Sequence, residues 1–207
     1  MPTCRPTCRI AVLAAAALGL AACNPETMGA GGPSRQKVTV AGRALTIAAP
    51  PGLCIDEGST RIDAAGAFLL LEDCGGASAR PPRAALTVAV SSGGLTGEGD
   101  AAGDTLDDLR GFLTTPDGLA LIGRSGRSAG VRVLAEQRAE GALFVLVEDR
   151  GPQPIAGLDR RFWRAFLEVN DRMTVLSVLG FDGGVDAQAG LQQLAALASA
   201  IRGANPG

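Results

Sequence analysis

The chain of 207 residues contains no histidine and no tyrosine. Without imidazole there is no base of near-neutral pKa, no histidine metal ligand and no histidine pH switch. Aromatic residues make up only 3% of the chain, with a single tryptophan, so the bases of a nucleic acid have little to stack on. Charge of one sign is also lacking: 19 Lys and Arg stand against 21 Asp and Glu, a net charge of -2. Such a balance gives no field to hold a polyanion, and no nucleic-acid partner is expected. Long hydrophobic runs are missing too. A membrane-spanning helix needs about 20 apolar residues, and the run Ile10–Leu20 has 11. What is present is a 46% apolar composition, enough for one domain with its own core.

The first 22 residues read as an address rather than as part of the fold. Arg5 and Arg9 form a short positive segment ahead of the apolar run Ile10–Leu20. Leu20-Ala21-Ala22-Cys23 follows. This sequence resembles the bacterial lipobox, an aliphatic residue and two small residues before an obligatory cysteine. The resemblance implies cleavage before Cys23, a diacylglycerol on its sulfur by thioether linkage, and acylation of the new amine, with palmitate as the fatty acid. Each buried methylene contributes about 0.8 kcal/mol, so two or three chains moor a protein stably. Asn24, in place of an aspartate, resembles the pattern of lipoproteins bound to the outer membrane. Its implied location is the periplasmic face of that membrane, with the inner membrane as the alternative. Removal of residues 1–22 leaves 185 residues and, with Arg5 and Arg9 gone and no acid lost, takes the net charge from -2 to -4.

Of the five cysteines, Cys4 and Cys8 leave with the signal and Cys23 takes the lipid. Cys54 and Cys74 remain, an even pair in a compartment that permits disulfides. Closing that loop stabilises by about 3 kcal/mol in the chain-entropy model. A metal or catalytic thiol site is disfavoured, because no histidine and no third free cysteine is there to complete it. The covalent lipid on Cys23 is the only cofactor expected.

Asn24–Gln36 is rich in Gly and Pro and reads as a tether with an r.m.s. span of roughly 20 Å. The domain is expected over residues 37–203, with 204–207 as a tail. Val38, Val40, Leu45 and Ile47 alternate around Ala41-Gly42, which predicts a hairpin. Phe68–Leu71 reads as a central strand covered on both faces, and Ala84–Val90 as a strand with Leu86, Val88 and Val90 inward. Thr105 to Asp108 fits a capping box, so a helix is predicted to start near Leu106, with Leu109, Phe112 and Leu113 on its buried face. Thr115-Pro116 ends it and opens a short second helix to Ile122. Hairpins are predicted around Glu140-Gly141 and across Asn170-Asp171. Asp186 caps a terminal helix that buries Leu191, Leu194, Ala198 and Ile201 and stops at Gly203. The fold class is therefore α+β, one antiparallel sheet of about 6–7 strands flanked by helices. This element order is similar to that of the PsbP-like α/β/α group, whose members act as accessory or assembly factors. Gly52–Asp56, Phe68–Leu71 and Phe162–Ala165 resemble segments of small alphaproteobacterial lipoproteins with no assigned activity. Neither resemblance carries a functional residue over to this chain.

Motifs of catalysis are mostly chance matches. Gly126–Gly130 fits G-x-S-x-G, but a strand follows it and no histidine can take the serine proton. Ser34–Lys37 fits S-x-x-K at the edge of the tether, where Lys37 is solvated and charged. Glu72-Asp73 and Glu148-Asp149 are adjacent carboxylates at strand ends, and neighbouring strand residues point to opposite faces. Trp163, between Arg161 and Arg164, reads as a packing residue rather than a surface anchor. The acids of Glu98–Asp117, among them Asp104, Asp107 and Asp108, fit a helix start. Arg124, Arg127, Arg132 and Arg138 fit the solvent face of a strand and its approach loop; read functionally, they form an anion patch for lipid headgroups or an acidic partner. No catalytic or metal-binding set is legible. The expected function is a lipid-anchored, non-enzymatic binding or assembly factor whose partners are the membrane and an envelope protein or cell-wall component. An envelope hydrolase using paired carboxylates is the first alternative, and a small-ligand carrier with an enclosed apolar cavity the second.

Overall fold

The computed structural model describes residues 32–75, 83–95 and 102–206. The expected signal segment with Cys4 and Cys8, the lipobox-like Leu20–Cys23 and the first part of the expected tether lie outside them, as do Glu98 and Asp100. Within the described residues the chain forms nine strands and three helices. β1 (Arg35–Val40) and β2 (Arg43–Ala48) make the first hairpin. Ala41 and Gly42 both take positive φ at its two-residue turn, the geometry whose twist matches the strands. β1 starts two residues before Lys37, because the chain is already held there: Ala49 N–H donates to Ser34 O and Ile55 N–H to Pro33 O.

β3 (Leu53–Ile62), β4 (Gly66–Asp73) and β5 (Ala84–Ser91) form one wing of the main sheet. No strand is predicted over Leu53–Ile62. Its outer half is polar and exposed, and the pairing shifts between Asp56 and Arg61, so no alternation survives. The other wing is built from β6 (Val131–Ala139), β7 (Ala142–Asp149), β8 (Arg161–Val169) and β9 (Arg172–Gly180). The seven strands are all antiparallel, in the order β3-β4-β5-β9-β8-β7-β6. The turns at Glu140-Gly141 and Asn170-Asp171 again have two positive φ values each.

Two layers cover this sheet. On one face lie α3 (Ala187–Gly203) and the β1–β2 hairpin, and their core takes in Leu194, Leu197, Ala198 and Ile201 together with Val88, Trp163, Leu167 and Leu176. On the other face α1 (Ala102–Phe112) and α2 (Pro116–Ile122) bring Leu106, Leu113 and Ile122 onto Leu143, Val145, Val147, Phe162 and Phe166. The domain is thus α+β, an antiparallel sheet between helices.

Five local expectations change. Leu69 and Leu71 are fully buried, but Phe68 is 41% exposed; β4 is covered on one face, because α1 and α2 pack over the β6–β9 wing. α1 begins at Ala102, which puts Thr105 and Asp108 inside the helix instead of at its cap. Phe112, at its last position, is exposed while Leu113 turns inward. Gly203 belongs to α3, and Ala204 ends it in right-handed conformation. The tail is docked as well: the Asn205 side chain accepts from Thr46 N–H and donates to Thr46 O, each at 2.8 Å. α2 does follow the sequence reading, with the Thr115 hydroxyl accepting from Gly118 N–H at 3.1 Å. So does the start of α3, where the Asp186 carboxylate accepts from Ala189 N–H at 2.8 Å.

Candidate functional site

The Cys54–Cys74 disulfide ties the start of β3 to the end of β4, with Cα atoms 4.9 Å apart. Among the described residues no group of three or more Cys, Asp or Glu side chains could hold a metal ion, and no helix is long and apolar enough to cross a membrane.

The four arginines of the expected anion patch do not form one surface. The extra residue Leu134 shifts the β6–β7 register between Val133 and Ala135, and such a bulge reverses the faces beyond it. Arg132 consequently sits opposite Glu148, on the α3 face, whereas Arg138 sits opposite Leu143, on the α1 face. Arg138 pairs there with Asp107 at 2.8 Å. Close by, Arg110 is tied to Glu136 in an ion pair, which neutralises this edge further. Arg127 is exposed in the α2–β6 loop. Arg124 stacks over the Phe162 ring, 4.1 Å from its centroid, and its Nη1 donates to Gln153 Oε1. Arg164 approaches the same ring at 5.4 Å. Among the described residues neither guanidinium has an ion-pair partner. Burial, and then repulsion from Arg124, pulls the Arg164 guanidinium down to about 10.

The structure instead gathers arginines that the sequence scatters. Glu148, nearly buried near the end of β7, accepts from three guanidiniums. Arg132 on β6 donates from Nε at 2.8 Å, Arg150 from Nε at 2.9 Å, and Arg161 on β8 from Nε at 3.3 Å. All three side chains are more than half exposed. One negative charge therefore anchors three positive ones. Hydrogen bonding by Arg132, opposed by burial and reinforced by Arg161 and Arg150, holds the Glu148 carboxyl at about 2 against its ordinary 4.5. A carboxyl depressed in the folded state contributes stability above its unfolded pKa and loses it as pH falls through the folded one. The difference in unfolding free energy between wild type and Glu148→Gln is thus expected to shrink between pH 4.5 and pH 2. Urea titrations at a series of pH values measure it, and a pH-independent difference would contradict the triad.

Beside this triad opens a cleft of about 550 Å³. Leu146, Trp163, Val178 and Val185 give it an apolar floor, and Glu148 and Arg161 stand at its charged side. The first turn of α3 forms the opposite wall. Gly190 permits that approach: a Cβ there would lie 3.1 Å from Trp163 Cδ1. The Trp163 indole N–H donates to Ala187 O at 2.6 Å, so the tryptophan is a packing residue that also floors the cleft. The acids on this side are occupied. Asp159 accepts from Gly183 N–H at 2.7 Å, and Asp186 caps α3.

The adjacent carboxylates do not converge. Glu148 serves the arginine triad, while Asp149, fully buried, accepts from the backbone N–H of Arg124 and of Gly151, each at 2.8 Å. Glu72 and Asp73 are consecutive on β4 and alternate in the same way. Sequence reasoning missed Arg150, Arg161 and the role of Glu148; the one signal was the acid pair Glu148-Asp149 closing an otherwise apolar strand. No protein-family model, curated protein or solved structure matches the chain.

Proposed function

We propose that this protein is a lipid-anchored component of a bacterial cell envelope and works by binding, with the cleft between α3 and the ends of β7, β8 and β9 as its recognition surface. The observation that carries the reading is the lipobox-like Leu20–Cys23 ahead of a domain in which the two remaining cysteines form a cystine. Disulfides persist in the oxidising compartments to which such a signal leads. The open, apolar-floored cleft with a preorganised cationic side has the volume usual for small-ligand sites, roughly 300–1,000 Å³. A binding or accessory role fits it better than hydrolysis by a carboxylate pair. Glu148 is taken up by the arginine triad and its neighbour Asp149 is committed to backbone donors, so the two do not converge as the carboxyl pair that glycoside hydrolysis requires.

Metabolic labelling with palmitate tests the anchor. Wild type is expected to incorporate label and to sediment with membranes; Cys23→Ser is expected to be unlabelled and to remain in the soluble envelope fraction. Unlabelled wild-type protein in the soluble fraction would sink the reading.

A further inference from the structure

We infer that the cleft takes an amphiphile with an oxyanion head, the head resting on Arg161 at the cleft wall, with Arg132 and Arg150 held beside it on Glu148, and the apolar part on Leu146, Trp163, Val178 and Val185. This rests on the reading of the cleft as the recognition surface.

Three guanidiniums within hydrogen-bonding reach of a single carboxylate leave two positive charges uncompensated at that point. Arg150 and Arg161 each give Glu148 their Nε. A guanidinium carries five N–H donors, so the terminal NH₂ groups of both side chains remain for another acceptor. Their forked, planar geometry matches the oxygens of a phosphate or carboxylate. Glu148 holds the forks in place beforehand, which lowers the ordering cost of binding. Arg160 also lines the cleft. Asp159 and Asp186 line the same cleft, but they accept from Gly183 N–H and Ala189 N–H; their charge disfavours an anion beside them and directs the head to Arg161 and the arginines on Glu148. The apolar floor then makes a bare anion an incomplete match. An isolated oxyanion would bury no apolar surface, and a neutral amphiphile would leave the arginines unsatisfied.

The test uses Trp163, the single tryptophan, as reporter, in the full chain carrying Cys23→Ser so that no attached acyl group competes. Dodecyl phosphate, titrated below its micelle concentration, is expected to change the Trp163 emission saturably. Dodecyl maltoside, with the same tail and a neutral head, is expected to bind at least tenfold more weakly. Inorganic phosphate, the head alone, is expected to do likewise. Arg150→Gln and Arg161→Gln are each expected to weaken dodecyl phosphate about tenfold. Both side chains are exposed, and an unchanged far-ultraviolet circular dichroism spectrum would certify their folds. Arg61→Gln, on β3 at the opposite edge of the sheet from β6, is expected to leave the affinity unchanged. Equal binding of the two dodecyl compounds, equal binding of phosphate and dodecyl phosphate, or no binding would each overturn the inference. Failure here with palmitate still incorporated at Cys23 would leave the anchored reading standing, and the converse result would separate the two the other way.

Discussion

Leu194→Ala is expected to lower the stability of the domain by roughly 2–5 kcal/mol, the usual range for a leucine truncated in a packed core. Leu194 has no exposed surface, and it stands at the centre of the layer where α3 meets the sheet. The loss has two parts. Transfer of the removed methyl and methylene groups is forfeited, and the cavity left behind keeps its lining atoms without partners. For a domain of this size each 1 kcal/mol moves the melting temperature by about 2–4 °C, so a shift on the order of 10 °C is readable by differential scanning calorimetry. Gln193→Ala, on the exposed side of the same helix, is the control and should stay within about 0.5 kcal/mol. Phe166→Ala probes the opposite layer, because its fully buried ring packs under α1 and α2. The two residues share no cluster, so the double variant should lose the sum of the single losses. A loss below about 1 kcal/mol for Leu194→Ala, or strong non-additivity with Phe166→Ala, would contradict the two-layer packing.

Removing the cystine is expected to cost about 3 kcal/mol, since the cross-link closes a loop of 20 residues in the unfolded chain. The cost falls on a vulnerable part of the sheet. β3 is an edge strand: its main-sheet pairing is to β4 alone, and that pairing is interrupted between Asp56 and Arg61. Cys54 and Cys74 clamp the end of the hairpin farthest from its turn at Asp63, where Leu53 pairs with Asp73. Cys54→Ala/Cys74→Ala should melt at a lower temperature than oxidised wild type, and reduced wild type should fall with it. Identical melting of oxidised and reduced protein would show that β3–β4 is held without the bridge.

The three tight hairpins were legible in the sequence because each is specified within a few residues. Ala41-Gly42, Glu140-Gly141 and Asn170-Asp171 are short segments able to take positive φ between alternating strands. α2 and the start of α3 were legible for the same reason, each announced by its own capping residue, Thr115 or Asp186. Strand β3 was not legible: an exposed edge strand with a broken register buries too little to leave an alternating pattern.

The candidate site turned on a single unpaired residue. Counting back from the turn at Glu140-Gly141, where Ala139 pairs with Ala142, an unbroken hairpin would set Arg132 opposite Asp149 and on the same face as Arg138. Leu134, inserted without a partner, sets Arg132 opposite Glu148 on the other face. β8 then brings Arg161 to the far side of the same carboxylate, also by register.

The sequence by itself determined the tight hairpins, α2, the start of α3 and the Cys54–Cys74 pairing, because each depends on residues close in the chain or on simple elimination. Only the tertiary structure decided that Arg132, Arg150 and Arg161 meet at Glu148 beside an apolar cleft. That meeting depends on strand order and on the β6 bulge. Both are fixed by packing across the whole sheet, and no short stretch of sequence records them.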